Sequence, residues 1–219
     1  MAQIKGYFSR LPVLPMLAML LMTSACAGQI PTAKTMPVGQ VVRAPSGFID
    51  FCMRERGACT EVSEATGAIT PAAAKTEGAQ VALTETRWRQ LNDINVDVNR
   101  AIRPETDMEQ YGKAEYWTVP STAGDCEDYA LLKRKDLLQK GWPPEALTLA
   151  TARNQHGELH AVLIVSTDHG DFVLDNATNF VDAWNDTPYQ WVSRQDPMTP
   201  LTWHRAGAGS DATVTAALP

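Results

Sequence analysis

The chain is 219 residues long, 44% hydrophobic and 20% charged, with a formal net charge of -6. That length suits one globular domain of roughly 150 residues with processed or loosely held ends. The acidic balance, and the lack of any Lys/Arg block that could track a phosphate backbone, exclude a nucleic-acid binder.

Residues 1–27 carry the pattern of an export signal: Lys5 and Arg10, an apolar run from Leu11 to Met22, then the small residues "TSACAG". Ala25-Cys26-Ala27 offers an A-x-A site, which places cleavage after Ala27. The apolar run is about 12 residues, where a bilayer span takes about 20, so the chain is not expected to span a membrane. Cys26 keeps a lipoprotein alternative open, against which Thr23 stands where lipid-attachment signals want Leu.

Three cysteines then remain, Cys52, Cys59 and Cys126. In an oxidising compartment the close pair in "FCMRERGACT" is expected to form a disulfide. The rival reading, a metal site, has only a C-x6-C spacing with no nearby His. Residues 28–82, rich in small and polar types without apolar periodicity, read as a flexible leader carrying the Cys52/Cys59 segment. The ordered core is expected to begin near Leu83, and 206–219, "AGAGSDATVTAALP", reads as a loose tail.

Thr84 can cap a helix that aligns Trp88, Leu91, Ile94, Val98 and Ile102 on one face, ended by Pro104. The stretch "ETDMEQYGKAEYWTVPSTAG" lacks periodicity and reads as a long loop, a kind that is usually functional or disordered. A second helix is predicted from Asp125 to Lys140, with Asp125 as N-cap, Glu127 and Asp128 in the first turn, and Gly141 as its stop. Cys126 thus falls at a helix N-terminus, which favours its thiolate. Its acidic neighbours oppose that ionisation.

Strands are predicted at 146–152, 159–166, 171–175 and 189–195, giving an α+β fold with one helix packed on a small antiparallel sheet. If Thr167 to Gly170 form a four-residue loop, Ser166 faces Asp171 and Val162 faces Asp175. Strand alternation then makes His160 and Asp175 diagonal neighbours, about 7 to 8 Å apart and within hydrogen-bonding reach. A helix-start cysteine, a strand histidine and a carboxylate on the next strand are the nucleophile, base and orienter of acyl transfer. Each also has a bland reading: a buried inert thiol for Cys126, a satisfied core histidine for His160, a turn residue starting "DNAT" for Asp175.

The blocks "GDCEDYALLKRKDLLQKGWP", "GELHAVLIV" and "DFVLDN" resemble, in this order, the bacterial transglutaminase-like cysteine proteinases of the periplasmic LapG type. The resemblance covers roughly residues 84–195, with 83–205 as the protease domain. It implies a papain-like fold in the transglutaminase variant, with Cys126 as nucleophile, His160 as general base and acid, and Asp175 orienting it. It also implies calcium held by Asp125 and Glu127, a periplasmic location, and a protein substrate such as a large surface adhesin. Its members are held in check by an inner-membrane receptor that responds to cyclic di-GMP. The alternatives are a transglutaminase-like amidase or acyltransferase using the same triad, and a non-catalytic module that binds calcium or an adhesin.

Overall fold

Two apolar periodicities, one helical and one β, meet at the centre of the molecule. The computed structural model describes residues 30–59 and 80–208. The signal and its cleavage site, the stretch 60–79 and the tail from 209 lie outside these residues.

Helix α2 (Glu85–Ala101) begins where expected: the Thr84 hydroxyl accepts from the Arg87 N–H at 3.2 Å. Leu91, Ile94 and Val98 are buried on one face, with Ile102 buried just beyond the helix end. Helix α4 (Cys126–Gln139) ends at Lys140, after which Gly141 takes φ +82°, a conformation that favours glycine. Between them the expected long loop contains a short helix, α3 (Asp107–Tyr111). Its start is a capping box in which Thr106 and Glu109 each serve the other's backbone N–H.

The sheet is seven-stranded, in the order β1-β9-β8-β4-β5-β6-β7. Its members are β1 (Val38–Val42), β4 (Leu147–Arg153), β5 (Leu159–Thr167), β6 (Gly170–Leu174), β7 (Asp182–Ala183), β8 (Gln190–Gln195) and β9 (Trp203–Ala206). All its pairings are antiparallel. A separate parallel pair, β2 (Arg103–Pro104) with β3 (Ala123–Gly124), ties the end of α2 to the start of α4. Helix α4 lies on β5, and α2 lies on α4. The α+β expectation therefore holds, with a larger sheet than expected.

The leader expectation needs correction. Residues 38–54 are part of the core: β1 pairs with β9, and α1 (Ser46–Arg54) buries Phe48, Phe51 and Cys52. Phe48 stacks edge-on against Trp117 and Trp203, at 5.6 and 5.4 Å between ring centroids. The physical reason is non-local: β1 is an edge strand whose partner lies at the far end of the chain, so no nearby pattern announces it. Ala206, assigned by sequence to the loose tail, is likewise buried in β9. The Cys52–Cys59 disulfide is formed, joining α1 to the short turn Arg56–Cys59. Among the described residues no helix is long and apolar enough to cross a membrane.

Candidate active site

The β5–β6 hairpin pairs Ser166 with Asp171, in the expected register, and turns through Asp168 and His169, a loop two residues shorter than expected. Thr167 and Gly170 pair as well, so shortening the loop by one residue on each side leaves the register unchanged. His160 on β5 therefore reaches Asp175, which follows β6: Nε2 lies 2.8 Å from Asp175 Oδ1. Asp175 is 3% exposed. Its Oδ1 also accepts from the Ala177 N–H at 2.9 Å, and its Oδ2 accepts from the Tyr189 hydroxyl. Burial alone would raise the Asp175 carboxyl. The His160 hydrogen bond and charge, with the Ala177 and Tyr189 donors, outweigh it and hold the group below the usual carboxylate range.

Cys126 opens α4 and shares a cleft of about 230 Å³ with His160. Trp117, Glu115, Leu159 and Val192 also line it. A larger apolar groove, about 470 Å³, lies along the opposite part of α4 and contains none of Cys126, His160 or Asp175. The Cys126 thiol is half-buried, receives the Ala161 N–H at 3.4 Å and donates to Glu127 Oε2 at 3.2 Å. Burial, then the Glu127 charge, pushes the thiol well above its ordinary value; the Ala161 N–H acts the other way.

The residues around it make an acidic knot. Asp125 occupies the N-cap position, as expected, yet its side chain caps nothing. Instead Oδ2 accepts from the Asp107 N–H at 3.2 Å, and Oδ1 is buried without a partner among the described residues. Asp107, Asp125 and Glu127 bring carboxylate oxygens to within 4.8 Å of one another. Burial, then the hydrogen bond and charge of Asp125, pushes the Glu127 carboxyl up to about 10. Asp107 is also raised, chiefly by burial. Asp128, in the first turn as expected, also accepts the Thr118 N–H at 2.9 Å and so holds the chain segment that carries Trp117. Gly124 is required here, since a Cβ on it would fall 2.5 Å from Asp128 Oδ2.

The structure thus brings Cys126 and His160 into one cleft, His160 onto Asp175, and Asp125 beside Glu127. Sequence reasoning missed Asp107, Tyr189 and Trp117. A signal existed for the first: Thr106 and Glu109 spell a capping box, which makes Asp107 the first residue of a helix.

The sequence matches the model of the family described as bacterial transglutaminase-like cysteine proteinase over residues 38–211. That match takes in β1, α1 and the Cys52/Cys59 segment. A search of curated proteins found no match. Among solved structures, calcium-bound Legionella pneumophila LapG is similar at 24% identity and TM-score 0.44, over 50% of this chain and 65% of that one. The EGTA-treated form of the same protein is similar at 24% identity and TM-score 0.43, over 49% and 62%. The chain spans less than two thirds of these LapG chains.

Proposed function

The chain belongs to the bacterial transglutaminase-like cysteine proteinase family, and on that premise we propose that it is an exported thiol protease cutting a peptide bond in a periplasmic or cell-surface protein. The observation that carries this reading is the His160–Asp175 hydrogen bond, 2.8 Å long, at the cleft that holds the free thiol of Cys126.

Asp175 accepts at Nε2, so the imidazole carries its proton there and presents Nδ1 as the base. His160 takes the Cys126 proton, and the sulfur attacks the scissile carbonyl. Backbone N–H groups at the start of α4 stabilise the oxyanion. The protonated His160 then gives its proton to the leaving amine, and a water activated by the same ring releases the acyl group from Cys126.

Calcium fits the acidic knot. It is a hard cation that takes carboxylate oxygens, and Asp107, Asp125 and Glu127 offer a converging set that includes the partnerless Asp125 Oδ1. These three residues would hold it. A bound ion would place fixed positive charge beside Cys126 and offset the carboxylates that now disfavour its thiolate. The signal at residues 1–27 supports periplasmic export. The substrate we propose is a large surface adhesin, with a cyclic di-GMP-responsive inner-membrane receptor as inhibitor; both follow the family resemblance.

The test is mass spectrometry of a surface-adhesin fragment incubated with the protein, calcium and a primary amine. Scission at one peptide bond supports the protease. Amine incorporation without scission means an acyltransferase, and binding with neither reaction means a non-catalytic module.

A further inference from the structure

Asp175 is held from two sides, and only one of them is the histidine. Its Oδ1 is shared between His160 Nε2 and the Ala177 N–H, while among the described residues Oδ2 takes its hydrogen bond from the Tyr189 hydroxyl. Tyr189 immediately precedes β8, so it reaches the pair from a different strand than either member. Its ring also lies on His160, 5.3 Å between centroids at 48°. On its other side the ring meets Trp191 edge-on, at 5.9 Å and 90°, and Trp191 in turn meets Trp184 at 6.4 Å. These edge-on and tilted aromatic contacts hold the ring in place, and the held ring carries the hydroxyl to Asp175. A tyrosine that merely filled the core would need a partner for its hydroxyl. It would not need that partner to be the orienting carboxylate while its ring touches the base.

We infer that Tyr189 is a positioning residue of the His160–Asp175 pair, locking the carboxylate with its hydroxyl and the imidazole with its ring. The inference rests on the protease reading for its kinetic consequence alone. A carboxylate bonded at one oxygen can rotate about its Cα–Cβ and Cβ–Cγ bonds. Bonded at both, it holds its Oδ1 lone pairs toward Nε2, and the imidazole stays in one tautomer with Nδ1 available as base. Orientation of this kind acts on the chemical step and leaves substrate binding unchanged.

Tyr189→Phe removes the hydroxyl and keeps the ring. In active protein, kcat should fall about tenfold or more, since small misplacements of a catalytic group cost that much, with KM within about twofold. The deciding readout needs no turnover: nitrogen-15 NMR of His160 in a Cys126→Ala background. Wild-type Tyr189 should give a single Nε2–H tautomer, and Tyr189→Phe a mixed or exchange-broadened ring signal. Tyr189→Leu, which also loses the ring contact, should broaden it further. An unaltered His160 signal in Tyr189→Phe overturns the inference whatever the kinetics. Altered NMR in a protein that cleaves nothing upholds it and rejects the protease reading instead.

Discussion

His160 Nε2 and Asp175 Oδ1 lie 2.8 Å apart across the β5–β6 hairpin, with Asp175 buried beneath the ring. On the proposed protease reading, this hydrogen bond sets the tautomer that leaves Nδ1 free to act as base. Asp175→Asn keeps the shape and can present an amide N–H to the ring, which favours the wrong tautomer. We expect kcat to fall by roughly ten-thousandfold and the melting temperature to fall as well, because the fold favours the charged Asp175 carboxylate and the amide loses that contribution. Steady-state kinetics beside a thermal melt would check it.

Lys133 is fully buried on α4, and its Nζ has no hydrogen-bond partner among the described residues. Burial pushes its ammonium down to about 7, against the pull of Asp175. Because this pKa is depressed in the folded state, the unfolded chain binds the extra proton between about pH 7 and the ordinary lysine value of about 10.4. The cost of burying the charge is thus full below pH 7 and is relieved as pH rises through that window. Lys133→Met should be more stable than wild type at pH 6, by on the order of a few kcal/mol, and the gap should narrow by pH 9. Denaturant titrations at the two pH values measure it; a gap that does not change with pH would sink the idea.

The acidic knot makes a prediction about stability as well as activity. An ion that binds only the folded state stabilises it by mass action, about 2.7 kcal/mol at a hundredfold excess over its dissociation constant. Calcium should therefore raise the melting temperature of the wild type. Asp107→Asn removes one of the converging carboxylates and should weaken or abolish that rise. An equal calcium-induced shift in wild type and variant would mean that the ion, if bound, sits elsewhere.

The Cys52–Cys59 bridge closes a short loop at the end of α1, where Arg54 donates to the Trp117 carbonyl at 2.7 Å and lies 4.1 Å over the Tyr116 ring. Replacing both cysteines by Ala should cost about 2 to 3 kcal/mol in the loop-entropy description. Activity should fall with it, because Trp117 lines the cleft. Thiol titration of the unreduced chain beginning at Gly28 should find one reactive group, Cys126; three would contradict the bridge.

What was legible in the sequence was local. Apolar spacing of 3.6 residues marks α2 around Leu91, Ile94 and Val98, the Asp125 cap and Gly141 stop mark α4, and the hairpin register puts His160 near Asp175. That register survived an error in loop length because one residue was removed from each side. Pairings between distant segments were not legible. Val38–Val42 reads as leader because its partner strand begins at Trp203, and Phe48 reads as unremarkable until Trp117 and Trp203 close around it. Asp107 joins Asp125 through the fold, across 18 residues of sequence, so spacing alone could not assign it to the same cluster. Tyr189 reads from sequence as a strand residue, and only the fold shows which carboxylate its hydroxyl meets.

The most direct test of the central claim compares the protein beginning at Gly28 with its Cys126→Ala form on one surface-adhesin fragment, each with calcium and with chelator. The account predicts a single scission by the wild type in calcium, little or none in chelator, and none by Cys126→Ala in either. Cleavage by both forms at comparable rates would contradict the thiol mechanism, whereas wild-type cleavage unchanged by chelator would contradict only the role given to calcium.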